Sequence, residues 1–333
     1  MSMSLDIFNP SKTVMAKGLD GKSLFIYGGN SLGKTAQSVR LPKPFVIATE
    51  SGLNATSGVP FARVTNWAQF LQLVKQFTDP INVKKARELY STIIIDEVYA
   101  ASLLCQDFVI ATYGQGALTL GDNQDSKINL YQCYEKQFFK TVNLLLSCDY
   151  TVVFIGHAQM DKNGFIVPKG DKRCIDPIRD FVDYVIYLKS NGVDENNKVI
   201  KSSAYLAETN EFFARSRFEN TPTYIREFTA ENLEKAIIEG IEKEAESKGT
   251  TAVTYAEQKA NNTPESADYD EVMTELQDVG MKFAENNYID ELTEIVESVL
   301  GVGKKVTECT RKQIEAMCIV LDKLKEKAAE LKI

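Results

Sequence analysis

A single stretch, LFIYGGNSLGKTAQ at residues 24–37, constrains the fold of this chain more than any other. It contains the pattern G-x-x-x-x-G-K-[S/T], with Gly28, Gly33, Lys34 and Thr35 at the specified positions. The apolar and aromatic residues before the pattern predict a buried strand, and the residues after it are compatible with a helix. A strand, a glycine-rich turn and a helix in this order are typical of a phosphate-binding loop, or P-loop. The segment therefore predicts a nucleotide-binding protein.

The residue types of the P-loop have separate tasks in holding a nucleotide. Glycines let successive backbone N–H groups curl around the β-phosphate, and the start of the helix adds partial positive charge. We expect Lys34 to reach the β- and γ-phosphates and the Thr35 hydroxyl to ligate Mg²⁺. The predicted cofactors are therefore ATP and Mg²⁺. The predicted binding loop comprises Gly28, Gly29, Asn30, Ser31, Leu32, Gly33, Lys34, Thr35 and Ala36.

Short runs of β-branched and aromatic residues recur along the chain and predict strands that are buried on both faces. They occur at 23–27, 44–48, 91–96, 151–156 and 183–188. Segments with helical periodicity separate several of them, notably 66–77 and 127–146. This alternation predicts an α/β fold with a mainly parallel sheet. An Asn163-Gly164 turn and the alternating segment 198–208 predict antiparallel strands at one sheet edge.

Composition divides the chain into two parts joined by a linker. We predict a P-loop domain over 1–248, closed by a helix that begins near Thr229. Residues 249–268 are polar and poor in large aliphatic side chains, so we predict a linker there. Residues 269–333 are helical by pattern, with a capping-box signature at Thr310 and Gln313.

Charge is distributed unevenly along the sequence. The formal total is −8, but residues 265–297 contain eleven acidic residues against one lysine, so the remainder carries +2. A nearly neutral body leaves room for a local nucleic-acid groove that the total charge hides, without demonstrating one. We interpret 265–297 as a solvated, helix-forming connector, with a dock for a basic partner as the alternative.

The sequence indicates neither a membrane span nor a signal peptide, because no run of about 18 uncharged apolar residues occurs. We therefore expect a cytoplasmic protein without a membrane partner. The six cysteines form no C-x-x-C pair and the chain has one histidine, so a Cys/His zinc set is not expected.

A P-loop also needs a second Mg²⁺ ligand, and the run YSTIIIDE supplies Asp96 at the end of a predicted strand. An acid in this place is a Walker B aspartate. ATP hydrolysis further needs a carboxylate that orients the attacking water. Two glutamates qualify, because Glu50 follows the strand 44–48 and Glu97 follows Asp96 directly. We favour Glu50 and leave Glu97 open, and we expect the other to be a solvated carboxylate at a strand end.

Three further polar residues are candidates for catalysis. His157 follows the run TVVFIG, at a strand end where parallel sheets bind ligands, and we predict that it senses the γ-phosphate. A hydrogen-bonded structural histidine is the alternative. Arg215 and Arg217 lie two residues apart, so they point the same way on an extended strand. We predict that they reach the γ-phosphate of a neighbouring subunit in a homo-oligomer, the alternative being surface charge or an internal ion pair.

Taken together, these residues resemble the RecA-like P-loop ATPases. The nearest resemblance is to compact phage-encoded ATP-binding proteins related to RecA, RadA and KaiC, which include single-strand annealing ATPases. It covers about residues 15–230 and is carried by IYGGNSLGKT, VIATESG, TIIIDE, VVFIGHAQ and ARSR. The resemblance implies a RecA-like core, ATP hydrolysis and a place in the bacterial host cytoplasm. In a RecA-like arrangement the glutamate at the position of Glu50 faces the γ-phosphate, whereas in the AAA+ arrangement the residue after the Walker B aspartate does so.

The resemblance also implies partners. DNA binding in RecA-like proteins comes from loops that correspond here to 113–125 and 159–179. The basic residues of the second loop are Lys162, Lys169, Lys172, Arg173 and Arg179, and four aspartates accompany them up to Asp180, so the loop is barely basic. We expect single-stranded DNA and a single-strand-binding protein as partners, in phage DNA recombination or single-strand annealing. The alternatives are a replication helicase-like or loader ATPase, and a nucleotide-dependent switch or scaffold without DNA binding.

Overall fold

The apolar runs of the sequence form a sheet whose central strands are parallel. The computed structural model describes residues 12–50, 56–122, 128–262 and 268–333. The strands are β1 (Ser23–Gly28), β2 (Pro44–Ala48), β3 (Phe61–Arg63), β4 (Thr92–Asp96), β5 (Thr151–Met160), β6 (Ile166–Pro168), β7 (Tyr184–Lys189), β8 (Ser203–Tyr205), β9 (Arg215–Ser216) and β10 (Tyr224–Ile225). Their order is β10-β8-β7-β1-β5-β4-β2-β3, with β6 paired to β5 and β9 to β7.

Parallel pairing joins the strands that carry the candidate site. The pairs β1–β5, β1–β7, β2–β3, β2–β4 and β4–β5 are parallel. The strands β6, β8, β9 and β10 pair antiparallel. The turn between β5 and β6 uses Gly164, whose φ of 79° is a left-handed conformation that glycine adopts without strain. The predicted α/β fold, with a mainly parallel sheet and antiparallel edge strands, is confirmed.

The helices of the described residues are α1 (Lys34–Ser38), α2 (Trp67–Thr78), α3 (Val83–Leu89), α4 (Val98–Tyr113), α5 (Leu130–Leu146), α6 (Lys172–Phe181), α7 (Ala230–Ser247), α8 (Tyr255–Asn262), α9 (Tyr269–Glu285), α10 (Ile289–Leu300) and α11 (Ile314–Leu331). Helices α2, α4, α5 and α6 pack on one face of the sheet and α7 on the other. As expected, α7 begins at Thr229, whose hydroxyl accepts a hydrogen bond from the backbone N–H of Asn232 at 3.1 Å.

Side chains of each central strand alternate between two hydrophobic cores. On β1, Phe25 and Tyr27 enter a core that also contains buried residues of α2, α4, α5 and α6. Leu24 and Ile26 enter the other core, together with buried residues of α7. Burial on both faces explains why these strands read as continuous apolar runs instead of alternating apolar and polar residues.

The described residues divide into two compact units. The larger one extends from Met15 to Tyr255. Its two ends are joined by backbone hydrogen bonds of 2.8 Å that Val253 makes with Met15 and Lys17. Residues 249–254 of the predicted linker therefore belong to this unit. Residues 255–262 of the predicted linker form the helix α8. Residues 263–267 lie outside the described residues.

The second unit contains residues 256–262 and 268–333, with 12–14, and has a helical core of its own. Met317, Cys318, Leu321 and Leu324 are buried along one face of α11. Both halves of the capping box at Thr310 and Gln313 are present. Helices also form within 265–297, where the acidic surplus lies. No described helix is long and apolar enough to span a membrane.

Two helical glycines offer a matched test of this packing. A Cβ on Gly240, in α7, would lie 2.7 Å from the Cα of Thr221, whereas one on Gly280, in α9, would meet nothing within 4 Å. Alanine favours a helix over glycine by about 1 kcal/mol, but a forced contact costs about 1–3 kcal/mol. We expect Gly280→Ala to slow hydrogen exchange in α9 and Gly240→Ala to speed it in α7. Faster exchange in α9 or slower exchange in α7 would contradict the packing.

Candidate nucleotide-binding site

The P-loop leaves β1 at Gly28 and enters α1 at Lys34. A Cβ on Gly28 would lie 2.7 Å from the carbonyl oxygen of Leu188, so the close approach of β7 leaves room only for glycine. Gly33 has a φ of 86°, again a conformation that favours glycine. The two glycines of the motif are thus required by the backbone itself, before any phosphate is considered.

Lys34 lies inside the loop. Its Nζ donates to the carbonyl oxygens of Gly28, at 3.2 Å, and Gly29, at 2.6 Å, and the residue is 7% exposed. Burial lowers the pKa of its ammonium, an effect that Asp96, Glu97 and Glu50 oppose. The charged group is therefore held at the place where phosphate oxygens would arrive.

Thr35 and Asp96, the two predicted Mg²⁺ ligands, meet directly. The Thr35 hydroxyl donates to Oδ2 of Asp96 at 2.7 Å. Burial raises the pKa of Asp96, while this hydrogen bond lowers it. The hydroxyl and carboxylate oxygens are hard donors of the kind that Mg²⁺ prefers, so the pair fits the cation that the motif implies.

Glu50 and His157 come together across the carboxyl edge of the sheet. Residue 157 pairs with Gly28 in the β1–β5 register, and residue 50 lies two positions after the end of β2. Nε2 of His157 is 4.0 Å from Oε2 of Glu50, with the Glu50 side chain 48% exposed. Burial and the charge of Lys34 hold the pKa of His157 below its usual value, which favours the neutral imidazole at pH 7.

Glu97 is not the solvated carboxylate that we expected it to be if Glu50 is the catalytic acid. It is 1% exposed and caps α4, with Oε1 accepting from the backbone N–H of Tyr99 at 3.1 Å. Burial, followed by the charge of Glu50, raises its pKa to about 7. The carboxylates of Glu50 and Glu97 and the imidazole of His157 lie within 4.8 Å of one another. Both candidate acids therefore face the same space.

Arg215 and Arg217 are not brought to this site. Strand β9 pairs with residues 184 and 185, at the amino end of β7. Residue 184 lies beside Leu24 of β1, and the P-loop begins four residues later, at Gly28. At about 3.3 Å per residue this is roughly 13 Å away. Both guanidinium groups donate instead to backbone carbonyls at the end of α6, among them Asp180 and Val182. Any action on a γ-phosphate would require a second subunit.

Several supporting contacts were absent from the sequence predictions. The Thr49 hydroxyl donates to the Glu97 carbonyl at 2.7 Å and its backbone N–H to the Asp96 carbonyl at 2.8 Å. Ser202 donates to the Leu32 carbonyl of the P-loop at 2.7 Å. The contacts of Thr49 could have been suspected from the sequence, because it is a polar residue directly after an apolar strand. Ser202 is 170 residues from Leu32, so no local pattern predicts its contact.

The loop 159–179 presents cations stacked on aromatic rings. The guanidinium of Arg173 lies 4.1 Å from the ring centre of Tyr131, and Nζ of Lys169 lies 5.3 Å from that of Tyr99. Arg173 also pairs with Asp171 at 3.4 Å, and Arg179 pairs with Asp176 and Asp180 at 3.3 Å. Residues 123–125 of the other predicted DNA loop lie outside the described residues.

Comparison with known proteins adds two similarities. A family model described as "AAA domain" matches residues 20–218. The chain is also similar to the "SPbeta prophage-derived uncharacterized protein YorG" of Bacillus subtilis strain 168, at 48% identity over 333 residues that cover 98% of this chain and 100% of the relative. The family match begins before β1 and ends after β9, so it includes every candidate site residue.

The raised pKa of Glu97 makes stability depend on pH. Its pKa rises from an ordinary 4.5 to about 7 on folding, so the folded state binds the proton more tightly and loses stability as pH increases from about 4.5 through 7. Glu97→Gln keeps the group neutral. In metal-free, nucleotide-free protein, denaturant titrations should show the variant gaining about 1–3 kcal/mol relative to wild type between pH 5 and pH 8. A difference that is constant with pH would contradict the assignment.

Proposed function

The chain belongs to the AAA-domain family of P-loop proteins, and on that premise we propose that it is a Mg²⁺-dependent ATPase of the RecA-like type that acts on single-stranded DNA. The observation that carries the proposal is the meeting of the carboxyl ends of β1, β2 and β4 with His157 of β5 at one edge of the sheet. Lys34, the Thr35–Asp96 pair, Glu50 and His157 all face that edge. The same edge binds ligands in parallel sheets generally.

In the proposed reaction Glu50 orients the attacking water and His157 detects the γ-phosphate. The Glu50 carboxylate is half-exposed and lies 4.0 Å from His157, whereas one oxygen of Glu97 is committed to capping α4. This difference supports the RecA-like assignment over the AAA+ one. Thr35 and Asp96 would hold Mg²⁺, which supplies positive charge to the β- and γ-phosphates. Lys34 exchanges its two carbonyl partners for phosphate oxygens.

Comparing two isosteric variants tests which acid is catalytic. Glu50→Gln should lower kcat by about 100-fold or more, the range for a lost general base, while ATP affinity stays within about threefold. Glu97→Gln should retain more than about a tenth of kcat, because its cap can be replaced by an amide oxygen. Lys34→Ala provides the control that abolishes tight ATP binding. The measurements are ATP turnover and fluorescent-nucleotide titration.

If Glu97→Gln lowers kcat more than Glu50→Gln does, Glu97 is the residue that orients the attacking water, and the RecA-like arrangement is contradicted. Unchanged ATP affinity in Lys34→Ala would contradict nucleotide binding at this loop altogether.

The proposed DNA surface consists of the two cation–aromatic pairs, Arg173–Tyr131 and Lys169–Tyr99. Residues 169–173 connect them, and both Arg173 and Tyr131 are exposed. Single-stranded nucleic acids bind such surfaces by stacking bases on rings while cations contact phosphates. Since aspartates pair with Arg173 and Arg179, the electrostatic contribution is small and stacking carries more of the affinity. The prophage origin of the 48%-identical relative supports a role in phage DNA recombination or single-strand annealing.

A second arginine in the chain provides a matched control for this surface. Arg311 lies 5.2 Å from the ring centre of Tyr269 and pairs with Asp270 at 2.8 Å, as Arg173 does with Tyr131 and Asp171. We expect Arg173→Ala to weaken binding of single-stranded DNA about tenfold at low salt, and Arg311→Ala to leave it within twofold. Fluorescence anisotropy with a labelled oligonucleotide measures both.

Equal losses of DNA affinity in Arg173→Ala and Arg311→Ala would show that DNA does not bind specifically at the loop 159–179. If the wild-type protein does not bind single-stranded DNA at low salt, a nucleotide-dependent switch without DNA binding replaces the DNA proposal. That result would not bear on ATP hydrolysis.

A further inference from the structure

Three side chains beside the nucleotide site form a separate set of donors. Glu50 extends from the end of β2, Glu97 follows β4, and His157 lies on β5, so three adjacent strands contribute one residue each. One carboxylate oxygen from each glutamate and one imidazole nitrogen lie within 4.8 Å of one another. None of them donates to or accepts from the Thr35–Asp96 pair in the described contacts.

One atom of this set is a buried acceptor without a partner. Oε2 of Glu97 has no hydrogen bond among the described residues, and the residue is 99% shielded from solvent. A buried carboxylate oxygen in this condition is costly, and such groups are rare in folded proteins unless a ligand, ion or water satisfies them. The nearby cation does not do so, because Nζ of Lys34 binds the carbonyls of Gly28 and Gly29.

We propose that, while no nucleotide is bound, Glu50, Glu97 and His157 form a second metal site, which takes a divalent transition-metal ion such as Mn²⁺. The roles proposed above for Glu50 and His157 belong to the ATP-bound protein. Two carboxylates with one imidazole are a donor set that suits Mn²⁺, Fe²⁺ or Zn²⁺, whereas Mg²⁺ prefers oxygen ligands alone. The site is therefore chemically distinct from the all-oxygen pair of Thr35 and Asp96.

The spacing is close to what such an ion needs. Ligands about 2.1 Å from a metal lie at most about 4.2 Å apart. Glu50 and His157, at 4.0 Å, already meet this limit, and the remaining separations close by about half an ångström. Rotation of the half-exposed Glu50 side chain supplies that movement, while Glu97, fixed as the α4 cap, provides the rigid ligand.

The single histidine of the chain makes the test specific. The full-length, nucleotide-free protein is titrated with Mn²⁺ in excess Mg²⁺ and followed by electron paramagnetic resonance. We expect one bound Mn²⁺ per chain, with nitrogen coupling from one imidazole in the pulsed spectrum. His157→Gln should remove the coupling, and both His157→Gln and Glu50→Gln should weaken Mn²⁺ binding at least tenfold. Thr35→Ala should leave affinity and coupling unchanged, because it alters only the other pair.

Each contrary result overturns the proposal. Absence of bound Mn²⁺ in the wild type, bound Mn²⁺ without nitrogen coupling, or coupling that persists in His157→Gln would place no metal at these residues. Equal Mn²⁺ affinity in wild type and Glu50→Gln would also overturn the proposal, provided that circular dichroism shows both proteins folded. No ATP is present, so a failure here leaves ATP hydrolysis untouched. Unchanged ATP affinity in Lys34→Ala, which would contradict nucleotide binding at the P-loop, would in turn leave the Mn²⁺ result standing.

Discussion

Parallel pairing of β1, β5, β4 and β2 is the constraint on which the rest of the structure depends. Because the four strands run in one direction, their carboxyl ends share one edge, and the register places His157 beside Gly28 and Asp96 beside Ala48. A slip of one residue would exchange the two buried faces of a strand, so the hydrophobic cores hold the register. The chemistry at the edge is thus positioned by apolar packing beneath it.

That packing creates an electrostatic cost at the site. Asp96, Glu97 and Glu50 share the edge with Lys34 and a neutral His157, and burial raises the pKa of both Asp96 and Glu97. Clusters of shifted pKa values are typical of functional sites, where a bound cation or substrate restores the balance. The Mg²⁺ proposed at Thr35–Asp96 and the second metal proposed between Glu50, Glu97 and His157 would both add positive charge to this group of acids.

Much of the fold was predictable because its signals are local. A buried strand reads as an apolar run, a helix start as Thr229 or as the Thr310–Gln313 box, and the P-loop as a glycine spacing, and each of these needs only neighbouring residues. The features that were missed are burial and contacts between distant residues. Glu97 looked like an exposed strand end but caps a helix in the interior, and Arg215 and Arg217 bind carbonyls about 35 residues earlier in the chain.

The sequence by itself determined the class of fold, the P-loop and the candidates Asp96, Glu50, Glu97 and His157, because motif spacing and hydrophobic periodicity are properties of the linear chain. Only the tertiary structure decided which of them share a space, which are buried and which partners they have. Burial and pKa depend on the three-dimensional surroundings, to which residues as far apart as Leu32 and Ser202 contribute. The stacking of Arg173 on Tyr131 has the same origin, since α5 and α6 meet only when the sheet between their sequences is assembled.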